Sequence, residues 1–309
     1  MKILIELPSW LGDSIMTSPA IENLIKHFGK VEITLIGPFV SIEALKNHPN
    51  VVKTYVVERK FINIYKSMKR LEKFDAFFSF RCSFRAKFMK FFISSSLKYQ
   101  YDKKKFREYH QVTKYNNFIN ESLNINSIPK ELIVHPTKKI KKNNKNKLLG
   151  INPGASYGNA KRWYPEEFAD VAVGLSNSYD ILIFGGPFEI EIASDIENYL
   201  IKKGVTNYQN LAYKTSISEL ISQIRGLDLF ITGDSGPMHL AAAFNIPTVS
   251  IFGPTNDYET SQWMNKKSVI VKKSLDCQPC MERTCPLKHH KCMKQIQASE
   301  VLEAVERLN

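Results

Sequence analysis

The sequence predicts an α/β protein made of two doubly wound parallel sheets. Three observations carry this expectation. Short apolar runs closed by Gly or Pro alternate with amphipathic stretches of helical period, first over 2–80 and again from Lys147 onward. Between these series, from Ser122 to Lys147, the pattern weakens into a segment rich in Lys and Asn and poor in apolar residues. A chain of 309 residues suits two domains that each bury their own core. We therefore place the domains at 1–145 and 146–309, with the run Lys138 to Lys147 as an exposed linker.

The elements follow in order. KILIEL at 2–7 reads as a first strand, and the loop Pro8 to Asp13 leads into a helix of about four turns carrying Ile15, Ala20, Leu24, Ile25 and Phe28. Val31 to Ile36 is a strand closed by Gly37-Pro38. A helix at Ser41 to Lys46, a strand at Val51 to Val57, a helix at Phe61 to Lys73 and a strand at Asp75 to Phe80 continue the alternation. The second series opens with a strand at Lys147 to Asn152, a loop to Arg162 and a helix at Pro165 to Leu175. A strand at Asp180 to Phe184 then turns at Gly185-Gly186-Pro187 into a helix from Glu189 to Lys203. Ser218 to Arg225 (helix), Leu229 to Thr232 (strand), Met238 to Phe244 (helix) and Thr248 to Phe252 (strand) complete it. Two such domains on one linker suggest a cleft, with ligands off the carboxyl ends of the strands.

Composition limits the function classes. No segment approaches the ~18 uninterrupted apolar residues of a membrane span. MKILIELPSW is a poor signal peptide, because Glu6 and Pro8 interrupt its apolar stretch. Both points indicate a cytosolic protein with reduced thiols. The net charge of +13 implies an anionic partner: a phosphorylated substrate, an acidic membrane surface or nucleic acid. The basic residues gather in the first half, at Lys66, Lys69, Arg70 and Lys73, at Arg81, Arg85, Lys87 and Lys90, and at Lys98 and Lys103 to Lys105.

The most informative stretch is TGDSGPMHLAAA at 232–243, which reads as a strand end, a tight Gly turn and a helix start. A helix N-terminus offers unpaired N–H groups and partial positive charge to a phosphate or diphosphate. Ser235 adds a hydroxyl, and Gly236 allows close backbone approach. An ordinary capped helix is the alternative. Neither half contains G-x-G-x-x-G or G-x-x-x-x-G-K-[ST], which argues against a standard dinucleotide site and against a P-loop ATPase.

PSWLGD at 8–13, PGASYGNAKRW at 153–163, and GDSGPMHLAAA with FGPT at 252–255 together resemble glycosyltransferase family 9, the bacterial lipopolysaccharide heptosyltransferases. The first two motifs are closer to heptosyltransferase II than to heptosyltransferase I. The resemblance spans nearly the whole chain. It implies the GT-B arrangement of two Rossmann-like domains facing across a cleft. The N-terminal domain would bind the acceptor; the C-terminal domain, with a Cys-rich tail and terminal helix, would bind the ADP-sugar. It further implies transfer of heptose from ADP-L-glycero-β-D-manno-heptose to heptosyl-Kdo2-lipid A, with inversion, at the inner face of the inner membrane. Another nucleotide sugar or core position, as in a type I or III enzyme, is the alternative within the family.

By position, the resemblance makes Asp13 the general base and Lys161 the contact to the donor diphosphate. Ser156 lies on the same loop as Lys161. Glu189 matches the acid at the nucleotide, and Asp234, Ser235, Gly236 and His239 match the turn holding diphosphate and heptose. A base for the acceptor hydroxyl and a cradle for departing ADP are what glycosyl transfer needs. Asp13 could instead cap its helix. Trp10, Arg81, Arg85 and Lys98 suit an acidic acceptor on a lipid anchor, and the basic excess suits an anionic leaflet. Trp163 and Cys82 are expected in the core.

Catalysis is expected to need no cofactor, and the protein to act as a monomer without nucleic acid. Cys277-x2-Cys280-x4-Cys285-x6-Cys292, beside His289 and His290, has ligand types and spacings that a structural zinc could use. Disulfides under oxidation and free thiols in a packed loop are the other readings. Two other function classes remain to be weighed: a zinc-bearing nucleic-acid-binding protein, which lacks an aromatic–basic motif, and a noncatalytic lipid-A-binding scaffold.

Overall fold

Both halves of the chain fold around strands that are buried on two faces, as a parallel sheet requires. The computed structural model describes residues 1–57, 61–137 and 146–308. It divides into two compact units, Met1–Thr137 and Lys138–Asn309. The expected linker lies, except for its last two residues, outside the described residues, as does the expected boundary at 145.

The first unit runs β1 (Lys2–Glu6), α1 (Leu11–Met16), α2 (Ser18–Phe28), β2 (Glu32–Gly37), α3 (Phe39–Leu45), β3 (Val51–Val56), α4 (Phe61–Lys69), β4 (Phe74–Ser79), α5 (Phe84–Phe92), β5 (Ser95–Gln100) and α6 (Gln111–Leu123). Its five strands are all parallel in the order β3-β2-β1-β4-β5. Ile3, Leu4 and Ile5 of β1 are wholly buried. Leu4, Ile36, Phe74 and Phe77 pack under Ile64 and Met68 of α4 and Met89 of α5.

The single helix expected after Asp13 is two helices, and the physical reason is local. Pro19 has no N–H to give the carbonyl of Ile15. The Ser18 hydroxyl donates to that carbonyl instead at 2.7 Å, and Thr17 Oγ1 donates to the Ser14 carbonyl at 2.7 Å. The chain thus breaks at Thr17. α5, β5 and α6 lie in a stretch the sequence pattern did not resolve. Cys82 is exposed rather than in the core, because it falls in the turn between β4 and α5.

The second unit runs β6 (Lys147–Asn152), α7 (Pro165–Leu175), β7 (Tyr179–Ile183), α8 (Ile190–Lys202), β8 (Tyr208–Asn210), α9 (Ile217–Arg225), β9 (Leu229–Gly233), α10 (Gly236–Ala243), β10 (Thr248–Phe252), α11 (Asp257–Thr260), β11 (Ser268–Lys272), α12 (Lys291–Lys294) and α13 (Ala298–Glu306). The order β11-β10-β9-β6-β7-β8, again all parallel, is that of a Rossmann sheet. Leu149, Ile151, Ile231 and Ile251 pack against Phe168, Ile196 and Val301. Trp163 is core, as expected, and its indole N–H donates to the Ile296 carbonyl at 3.0 Å. Among the described residues no helix is long and apolar enough to cross a membrane.

Candidate functional site

In the second unit the strand order reverses between β6 and β9, and ligands of open α/β sheets bind beyond the carboxyl ends of such a strand pair. The last residue of β6, Asn152, stands in register with Thr232. Its amide donates to Thr232 Oγ1 at 3.3 Å, to Ser235 Oγ at 3.1 Å and to the Gly154 carbonyl at 3.3 Å. Ser235 is the N-cap residue of α10 but makes no side-chain cap hydrogen bond. Its hydroxyl is drawn toward Asn152 and Thr232 instead, so this is not an ordinary side-chain-capped helix. Gly236 opens the helix, Pro237 supplies no N–H, and Met238 N–H turns back to the Ser235 carbonyl. His239 is buried within α10.

The loop after β6 brings Lys161 to this turn. A 3-10 turn, Asn159–Lys161, sets its Nζ 2.5 Å from Asp234 Oδ2. Thr255 donates to the same oxygen at 2.6 Å. The pair is largely buried, with side chains 13% and 6% exposed. The ammonium also lies 4.8 Å from the Tyr157 ring centroid, and the Arg283 guanidinium lies 5.2 Å from it. Asp234 thus aims a lysine within a desolvated turn. Ser156 lies exposed on the same loop.

Glu189 is buried beside Gly154, where an added Cβ would come within 2.1 Å of the Glu189 Cγ. Its Oε2 accepts from Gly186 N–H at 2.7 Å, while Arg162 stands 3.8 Å from Oε1. Oε1 has no hydrogen-bond partner.

The Cys-rich segment braces this loop. The Arg283 carbonyl accepts from Ala160 N–H at 3.1 Å, the Met281 carbonyl accepts from Tyr157 at 2.7 Å, and His290 Nε2 lies 2.9 Å from the Ala160 carbonyl. Gln278 Nε2 and Met281 N–H donate to the carbonyls of Gly253 and Pro254, next to Thr255. Cys277, Cys280, Cys285 and Cys292 line one small cavity of ≈ 20 Å³ with His289 and His290. All are free thiols. Burial, reinforced by Cys285, Cys277 and Cys280, pushes the Cys292 thiol up to about 11. Among the described residues no three His, Cys, Asp or Glu side chains are grouped to hold a metal ion.

In the first unit the order reverses between β1 and β4. Asp13 lies in the first turn of α1, whose N-cap residue is the exposed Trp10. It is not the N-cap residue, and it accepts a hydrogen bond from Tyr115 of α6 at 3.3 Å. Burial first, then the Asp13 carboxylate, hold the Tyr115 phenol protonated well above its usual range. Arg81 follows β4 and stands 3.5 Å from Glu6 of β1. Arg85 lies in the first turn of α5. Lys98 is not brought to them: its Nζ donates to the Lys90 carbonyl at 3.1 Å, at the other end of α5.

Sequence reasoning named Lys161, Asp234, Ser235 and Asp13 but missed Asn152, Thr232, Thr255, Tyr157 and Tyr115. FGPT at 252–255 was the one signal that pointed to Thr255.

Two doubly wound parallel sheets in one chain, each with polar side chains gathered where its strand order reverses, are the components of the GT-B class of fold. A structure of the E. coli ADP-heptose LPS heptosyltransferase II superposes with a TM-score of 0.83 over 100% of this chain and 98% of that one, at 21% identity. The family model "Glycosyltransferase family 9 (heptosyltransferase)" matches residues 77–291. The chain is 43% identical to lipooligosaccharide heptosyltransferase 2 of Campylobacter jejuni serotype O:2, over 100% of this chain and 98% of that protein. It is 26% identical to lipopolysaccharide heptosyltransferase 1 of Campylobacter coli, over 100% and 99%. The chain belongs to glycosyltransferase family 9.

Proposed function

We propose that this glycosyltransferase moves a heptose from ADP-L-glycero-β-D-manno-heptose to the inner core of a lipopolysaccharide or lipooligosaccharide, as a type II enzyme acting on heptosyl-Kdo2-lipid A. The observation that carries the reading is the end-to-end likeness to a type 2 enzyme, well above that to a type 1 enzyme. The buried Lys161–Asp234–Thr255 group beside the Ser235 turn supports a diphosphate at that place.

In this reading Asp13 takes the proton of the acceptor hydroxyl as that oxygen bonds to the anomeric carbon. The bond from that carbon to the β-phosphate oxygen breaks on the opposite face, so configuration inverts. ADP leaves with the electron pair. Lys161, the Ser235 hydroxyl and the Gly236 N–H receive the charge that builds on the β-phosphate, a form of prepositioned stabilisation that often dominates catalysis. Ser156 and His239 complete the diphosphate and heptose contacts. Glu189 accepts from a nucleotide hydroxyl through its unpartnered Oε1. Trp10, Arg81 and Arg85 meet the acidic acceptor. The transfer draws on no metal, and a structural zinc would be held by Cys277, Cys280, Cys285 and Cys292 around their shared cavity.

The first 137 residues hold 22 Lys and Arg against 12 Asp and Glu. Ile62, Phe84 and Phe91 are exposed on α4 and α5 among Lys66, Lys69, Lys87 and Lys90. An apolar and basic surface suits an anionic cytoplasmic leaflet, with about 1 kcal/mol per basic residue. Binding to anionic vesicles is expected to weaken with salt.

The test is direct. Purified protein, ADP-heptose and a short-core lipid acceptor should give a heptose mass increment. No increment, or calorimetric binding of UDP or GDP in clear preference to ADP, overturns the reading.

A further inference from the structure

The carboxyl edge of the first sheet holds a carboxylate that the transfer chemistry leaves unused. Glu6, the last residue of β1, is 0% exposed and pairs in register with Ser79, the last residue of β4. The strand order reverses between these two strands, the place where open α/β sheets bind ligands. Glu6 Oε2 accepts from the Ser79 hydroxyl at 2.6 Å. Its Oε1 is buried and has no hydrogen-bond partner. Arg81 Nη1 stands 3.5 Å from that oxygen.

Arg81 is fixed at its backbone. Its N–H donates to Ser79 Oγ at 3.3 Å, and its carbonyl accepts from Gln100 Nε2 at 3.2 Å. Its side chain is 15% exposed, so the guanidinium bridges a buried carboxyl and the solvent edge of the strands. A desolvated carboxylate with one oxygen unpartnered is unfavourable. It is relieved by closing fully on Arg81 or by taking a proton. An anion that arrives on Arg81 removes the first route and leaves the second.

We propose that Glu6 and Arg81 form a proton-coupled anion subsite, in which an acidic group of the sugar acceptor, carboxylate or phosphate, binds Arg81 while Glu6 takes up one proton. The acceptor class rests on the function proposed above; the coupling does not. One proton passes from solvent to the Glu6 carboxyl for each anion bound, and leaves when the anion leaves. Burial pushes Glu6 up to about 7 against the opposing pull of Ser79 and Arg81, so both forms are populated near neutrality. The groups that face it are Ser79 from β4 and Arg81 from the turn after it; its register partner on β2 is the apolar Ile36. Glu6 is a positioning residue: it touches Arg81, and the proposal has it touch no substrate.

Titration calorimetry with deacylated heptosyl-Kdo2-lipid A tests this. It is run at pH 7.5 in two buffers of unlike ionisation enthalpy, neither of them a phosphate or carboxylate. The wild type is expected to take up between about half and three quarters of a proton per acceptor, since about a quarter of Glu6 is already protonated at pH 7.5. Its acceptor affinity should fall by up to about tenfold per pH unit above 7. Glu6→Gln should show no uptake, a flat pH dependence and an affinity at pH 8 at least equal to wild type. Arg81→Gln should lose at least about tenfold in affinity and all uptake. Zero uptake or proton release by the wild type overturns the coupling, and that measurement needs no variant to fold. Unchanged uptake in Glu6→Gln overturns the assignment to this residue. Transfer is scored separately by mass. Heptose transfer without proton uptake overturns the subsite and leaves the proposed function standing; neither binding nor transfer overturns both.

Discussion

Lys161→Ala separates what the lysine does for the fold from what it does for a ligand. Its ammonium lies 2.5 Å from Asp234 Oδ2, and the pair is 13% and 6% exposed. Removing one partner of a buried pair costs about 3–5 kcal/mol, because the other charge is left uncompensated. Here Thr255 still donates to the same oxygen at 2.6 Å, so the low end applies, about 3 kcal/mol. For a unit of this size each kcal/mol shifts Tm by about 2–4 °C, giving a fall of about 6–12 °C. Asp234→Asn in the same background removes the stranded charge and should return most of that stability. It should not return ADP binding, since the cation for the diphosphate is still missing. The assay is a double-mutant cycle, read by thermal melting and by ADP calorimetry on the same four proteins. Lys161→Ala that melts with the wild type refutes the buried-pair argument. A double variant that binds ADP like the wild type refutes the diphosphate role.

Glu6 makes stability depend on pH. Its carboxyl is raised from 4.5 to about 7 in the fold, so this group's stabilising share is full below pH 4.5 and is lost as pH rises through 7. Over that interval the change is about 3 kcal/mol, and Glu6→Gln should melt higher than wild type at pH 8 and the same as wild type at pH 4. Tyr115→Phe removes the donor to Asp13. At 3.3 Å that bond is long, so kcat should fall by about tenfold rather than more, with ADP affinity unchanged by calorimetry. Asp13→Asn should lose on the order of 10²–10⁴ in kcat in the transfer assay. Gly158→Ala places a Cβ 2.3 Å from the Arg283 carbonyl oxygen. Backbone cannot swing aside as a side chain can, so melting should show a loss of about 1–3 kcal/mol and ADP should bind more weakly as the Lys161 loop shifts.

What the sequence made legible follows from burial. β1, β6, β9 and β10 are central and covered on both faces, so they read as short runs dominated by apolar residues. β5 and β8 are edge strands written SSLKYQ and YQN, with too few apolar residues to stand out. In α5, FRAKFMKFF spreads phenylalanines over buried and exposed faces alike, which blurs the helical period. The site divides the same way. Ser235 and Gly236 were readable because a Gly turn between strand and helix can bind an anion and the resemblance carried by the other motifs singled this turn out from an ordinary capped helix. Asn152, Thr232 and Tyr115 are ordinary polar residues; only the register of β6 on β9, and the seating of α6, give them their partners. Glu6 was visible merely as a break in an apolar run.

The two units repeat one construction with opposite charge. In each, the polar residue that ends the first strand at the reversal stands in register with a polar residue at or next to the end of the other: Glu6 with Ser79, and Asn152 with Thr232. Two residues after the second partner comes a charged side chain, Arg81 in the first unit and Asp234 in the second, and each faces an opposite charge from a strand or loop on the other side of the reversal. The balance differs. Asp234 is closed on Lys161 at 2.5 Å with Thr255 at 2.6 Å, a satisfied pair whose charges cancel and which fixes the position of the ammonium. Arg81 stands 3.5 Å from a carboxyl with an unpartnered oxygen and a raised proton affinity. When that carboxyl is protonated, the arginine is the net charge there. In the proposed scheme each edge then offers a fixed cationic side chain to one anion, the first with its net charge set by a proton on Glu6 and the second from within an ion pair. On the function proposed above, the same fold would serve two acidic ligands of different constancy: a diphosphate whose charge is fixed at neutral pH, and an acceptor whose release has to follow the transfer.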